Sequence, residues 1–199
     1  MKSFFTFRSI HLLLLCGFCL SLASCKAMGL QTNIIDKELV AQTRCFTVSN
    51  VVVTADAKGY TDVSFLEDNG KTALAKLEYY IDKAEISDRI HVDKKALVST
   101  EWPYIKKFSV LNDRYFPPAT DSCGGNVLMF IQMHKPGSDG CNTTITLLFY
   151  EKDITKPSLE IQHGTKWGNA YLLMKPDHYL TIEDAVKGVV DRAKSVFGN

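Results

Sequence analysis

The chain has 199 residues, 46% of them hydrophobic, with 23 basic against 22 acidic side chains and a formal net charge of +1. That length suits one domain able to bury a core of its own. The near-neutral balance, with no basic run longer than the pairs Lys94-Lys95 and Lys106-Lys107, argues against nucleic acid as a main partner, because phosphate binding needs a basic surplus or a basic face.

The first element is a targeting segment. Lys2 and Arg8 give a positive start, and Ile10 to Leu22 is an apolar run interrupted by His11, Gly17 and Ser21. The run is too short for a permanent transmembrane helix. Small residues then lead to a cysteine, in Leu22-Ala23-Ser24-Cys25. This stretch resembles the lipobox of bacterial lipoproteins, whose cysteine is acylated and becomes the new N-terminus. The resemblance implies a signal peptide over 1–24, a lipid anchor on Cys25 and a membrane as partner. Each buried methylene of an acyl chain is worth about 0.8 kcal/mol, and two or more chains hold firmly. Lys26 stands where enterobacterial-type lipoproteins commonly carry an aspartate for inner-membrane retention, so the resemblance implies the outer membrane, facing the periplasm. The alternative is a secreted eukaryotic glycoprotein, cleaved near Ala23 or Ala27, with Asn142-Thr143-Thr144 as its sequon.

Loss of 1–24 removes two positive charges, leaving 21 basic and 22 acidic residues and a net charge of −1. Residues 25–32 read as the lipidated cysteine and a short tether, reaching at most about 25 Å. Residues 33–199 read as a single globular domain. Within it, Asn33 to Gln42 suits a short helix and Cys45 to Ala55, rich in Val and Thr, a strand. Val63 to Leu66 and Thr72 to Ile81 flank Asp68-Asn69-Gly70, a strong turn signal. As strand, Ala73, Ala75, Leu77, Tyr79 and Ile81 share a face; as helix, Ala73, Leu74, Leu77, Tyr80, Ile81 and Ala84 form a stripe. The turn and the paired tyrosines favour strand. Ile86 to Val98 continues the sheet, Trp102-Pro103 breaks it, and Ile105 to Leu111 suits another strand.

Val127 to His134, apolar enough to be buried on both faces, and Thr143 to Tyr150 read as a hairpin around Lys135–Gly140. Leu159 to His163 and Ala170 to Met174 read as strands. The last element is the clearest helix: Thr181 caps it, Asp184 sits near its positive end, and Gly198 can end it. Ile182, Ala185, Val186, Val189, Val190, Ala193, Val196 and Phe197 make its apolar face. The fold expected is β-rich α+β: a curved antiparallel sheet or small barrel with a C-terminal helix. Tyr171-Leu172-Leu173-Met174-Lys175-Pro176, leading into that helix, is similar to the end of lipocalins, some of which are outer-membrane lipoproteins. The first strand has Arg44-Cys45-Phe46 and no Gly-x-Trp. That resemblance implies a carrier of an apolar small molecule.

With Cys25 acylated, Cys45, Cys123 and Cys141 remain, and export implies one disulfide. Cys123 and Cys141 lie at opposite ends of the expected hairpin, about 25–30 Å apart at 3.3 Å per residue. A disulfide needs Cα atoms about 4.4–6.8 Å apart. Cys45 paired with one of the two is therefore favoured.

Catalytic pattern is thin. Asp121-Ser122-Cys123-Gly124-Gly125, with His163 or His178, sketches a thiol and its base, but Cys123 runs into an apolar strand rather than a helix N-terminus. His91, His134, His163 and His178 show no metal-ligand spacing beside the cysteines, so neither a metal nor a cofactor is expected. Trp102, Tyr104, Phe108, Tyr115 and Phe116 cluster among prolines and are the best candidate for a patch touching a partner or an apolar ligand. The function expected is a lipid-anchored envelope protein with a non-enzymatic binding or assembly role.

Overall fold

The computed structural model describes residues 30–34, 37–55, 62–101, 123–134, 142–151, 156–164 and 180–198. In chain order the elements are β1 (Leu30–Ile34), α1 (Lys37–Gln42), β2 (Phe46–Ala55), α2 (Val63–Lys83), β3 (Ile90–Glu101), β4 (Gly125–His134), β5 (Asn142–Glu151), β6 (Leu159–His163) and α3 (Ile182–Phe197). The strands form one six-stranded sheet in the order β1-β6-β5-β4-β2-β3. The β-rich α+β class and the C-terminal helix are as expected.

The sheet is mixed rather than wholly antiparallel. The strands β4, β5, β6 and β1 pair antiparallel, whereas β2 runs parallel to both β3 and β4. Among the described residues it also stays open, with β1 and β3 as its edges. The physical reason is α2. Parallel neighbours need a long crossover, and the 21-residue helix between β2 and β3 supplies one. The strand reading of this stretch is therefore corrected: 63–83 is a single helix.

Local chemistry explains why. Asp62 caps the helix, its carboxylate accepting from the Phe65 N–H at 3.1 Å. Leu66, Gly70, Ala73, Leu77 and Ile81 follow at helical spacing and are all buried. The Asp68-Asn69-Gly70 turn signal is absorbed. The Asn69 side chain donates to the Phe65 carbonyl at 2.7 Å, one turn back. Gly70 faces the sheet so closely that a Cβ there would lie 2.5 Å from Val98 Cγ1 and 2.9 Å from Val53 Cγ2. The glycine serves a close approach of helix to sheet, not a turn.

The hairpin and α3 match expectation. The register runs from His134↔Asn142 to Gly125↔Glu151, so β4 and β5 are fully paired. The Thr181 hydroxyl accepts from the Asp184 N–H at 3.1 Å, and the helix buries Ala185, Val186, Val189, Val190, Ala193 and Phe197. The region read as one helix over 33–42 is instead part of β1 followed by α1, and β1 begins at Leu30, inside the stretch read as tether. The expected strands at Ile105–Leu111 and Ala170–Met174, and the lipocalin-like 171–176, lie outside the described residues.

The main core lies between α2, α3 and one sheet face. Val51, Val53, Met129, Ile131, Ile145, Leu147 and Phe149 meet the buried helix positions there. Phe46, Phe149 and Phe197 form an aromatic knot, with ring centroids 5.2 to 5.8 Å apart. The opposite face carries a second cluster built from strand residues, Val52, Leu128, Phe130, Leu148 and Tyr150, all nearly inaccessible. Burial on both faces accounts for the unbroken apolar run of β4. It also pushes the Tyr150 hydroxyl well above the ordinary tyrosine range, with the Glu160 charge adding to the effect.

Candidate functional site: the shared end of three parallel strands

Because β3, β2 and β4 are parallel neighbours, their N-terminal ends lie side by side. Phe46 faces Ile90 on one flank and Gly125 on the other. The Phe46 N–H donates to the Arg89 carbonyl at 2.8 Å, and the Gly125 N–H to the Cys45 carbonyl at 3.2 Å. Arg89 also reaches back: its guanidinium donates to the Thr43 carbonyl at 3.2 Å and lies 5.2 Å from the centre of the Phe197 ring. This end of the molecule is thus fastened to α3 and to the segment entering β2.

Cys45 immediately precedes β2 and Cys123 precedes β4 by two residues, so the ladder itself brings them together. They form a disulfide with Cα atoms 4.9 Å apart. Pairing of Cys45 with one of the later cysteines is what the hairpin geometry favoured. In this oxidised state Cys123 has no thiol to act as a nucleophile.

His91, opposite Thr47 on β3, joins the pair. The two Sγ atoms and an imidazole nitrogen of His91 all lie within 4.8 Å of one another. Cys45 and Cys123 are only 5% and 6% exposed, whereas His91 is exposed. Sequence spacing does not reveal this grouping, because each residue sits on a different strand. The signal that finds it is topological: all three stand at or next to the start of a parallel strand, which is visible only once 63–83 is a crossover helix.

Of the other candidates, Cys25, Cys141, Trp102, Tyr104, Phe108, Tyr115 and Phe116 lie outside the described residues, as does His178. His163 ends β6, its ring against Gly188 of α3, where any Cβ would overlap the imidazole. Of the sequon, Asn142 opens β5, and the Thr143 and Thr144 that follow are buried.

No family model matches the chain, and no curated protein matches it. Among solved structures, two dodecamers of PelC from Paraburkholderia phytofirmans, one a single-residue variant, are similar to it. Each is 11% identical and covers 85% of this chain, with 98% of the PelC chain covered at a TM-score of 0.37 in the variant and 97% at 0.38 in the other. Likeness at this level carries nothing about activity or assembly.

Proposed function

We propose that this protein is a lipid-anchored component of the cell envelope, with a non-enzymatic role in binding a partner or assembling an envelope complex. The observation that carries the reading is Leu22-Ala23-Ser24-Cys25 behind a positively started apolar run. The Cys45–Cys123 disulfide supports it, because such bonds persist in oxidising compartments outside the cytosol. No helix among the described residues is long and apolar enough to cross a membrane. A lipid on Cys25 would then be what holds the chain there.

The test is native mass spectrometry of the protein extracted gently from its own membranes. The expected result is a chain beginning at acylated Cys25, together with the added mass of a protein partner. An unacylated chain overturns the anchor. An acylated chain that is always alone overturns the assembly role.

A further inference from the structure

The three strand starts carry an unassigned donor set. The ladders Thr47↔His91 and Phe46↔Gly125 fix the backbone on either side of β2, so the closeness of the three donors does not depend on the disulfide alone. We propose that Cys45, Cys123 and His91 form a redox-gated site for one thiophilic cation, Zn2+ or Cu+. Oxidised, the sulfurs are bonded to each other and the site is a staple. A dithiol reductant opens it: two electrons and two protons pass to the disulfide, giving two thiols, while the reductant closes to its own disulfide. On metal binding each thiol releases its proton to solvent, and two thiolates and one imidazole take the cation.

The geometry suits this. Zn–S bonds of about 2.3 Å and Zn–N bonds of about 2.0–2.1 Å put tetrahedral donors well within 4.8 Å of one another. Thiolate with imidazole selects zinc or cuprous ion over hard cations. The nearly buried sulfurs are poor places for free thiolates, so a bound cation offsets their charge. Exposed His91 gives an entry route, and with three protein ligands a fourth position stays open to water.

The experiment uses the full-length chain in detergent, reduced with dithiothreitol, desalted without oxygen and titrated with Co2+ and then Zn2+. One equivalent of Co2+ is expected to give a thiolate-to-cobalt charge-transfer band that Zn2+ bleaches, with circular dichroism unchanged by reduction. The untreated disulfide form gives no band. His91→Ala, which retains both cysteines, weakens binding by at least about tenfold. A reduced wild type without the band, a band that survives in Cys45→Ser/Cys123→Ser, or His91→Ala binding as tightly as wild type would each overturn the proposal. So would loss of the native circular dichroism on reduction, because the strands would no longer hold the donors.

Discussion

Gly70 shows how a single residue reconciles two opposed local signals. In isolation it is a poor helix residue, costing about 1 kcal/mol against alanine. In place it lets α2 close on Val53 and Val98. Gly70→Ala should therefore destabilise the protein by about 1–3 kcal/mol, despite its better helix propensity, as side chains shift to admit the methyl group. Urea unfolding checks this, and a stabilised variant would contradict the close approach. Cys45→Ala/Cys123→Ala should cost about 2–5 kcal/mol through loss of the disulfide, measured the same way.

At the level of elements, α2 and α3 are clamped at their exposed faces by Glu183. Its carboxylate accepts from Lys76 at 2.9 Å and from the Tyr80 hydroxyl at 2.7 Å. The Lys76 hydrogen bond first, and the Tyr80 bond second, hold Glu183 below the ordinary carboxylate range. Tyr80 is raised, chiefly by its bond to Glu183. A lowered folded pKa means the clamp contributes at neutral pH and is lost as pH falls through that lowered value. On the alkaline side, the raised Tyr80 contribution holds below the ordinary tyrosine pKa and is lost as pH rises through its folded value. Glu183→Gln should lower the melting temperature slightly at neutral pH, and the gap to wild type should close as the pH falls through the lowered Glu183 value. Salt should narrow the gap as well, since the pair is exposed.

Among the described residues β3 is an edge strand, and it is protected in a different way. Its pairing with β2 jumps from Val48↔Val92 to Asn50↔Leu97, leaving Asp93 to Ala96 opposite Ser49 alone. Asp93 accepts from the Lys95 N–H at 2.8 Å and shapes this bulge, while Lys94 and Lys95 are exposed. Bulges and lysines discourage edge-to-edge pairing. Lys94→Val/Lys95→Val should raise self-association in sedimentation; a sedimentation profile unchanged from wild type would show that the lysines do not guard the edge.

How much of this was legible depends on where each signal lives. The last helix was readable because Thr181, its apolar stripe and Gly198 all act within one element. So was the antiparallel pairing of β4 with β5, which are neighbours in sequence as well as in the sheet. The stretch 63–83 was not, because its apolar residues satisfy both periods and the reason for Gly70 lies on two other strands. The cysteine pairing was readable by half: the hairpin expected from the sequence set Cys123 apart from Cys141, but only the parallel topology brings Cys45 to Cys123. His91 was invisible for the same reason, since the strand order that places it beside the disulfide follows from the α2 crossover.

At the scale of the whole molecule, the described residues form one mixed sheet with α2 and α3 packed on one face and a disulfide across the starts of its parallel strands. The proposed role makes this domain the cargo of a lipid anchor, and Cys25 is the atom-level centre of that claim. The most direct measurement is the intact mass and N-terminal peptide of the full chain purified from bacterial membranes, beside Cys25→Ala. The prediction is a wild-type chain starting at Cys25 and bearing acyl chains, with Cys25→Ala unacylated and lost from the membrane fraction. A wild-type chain cleaved at another residue without lipid, or a Cys25→Ala chain that stays membrane-bound, would contradict it.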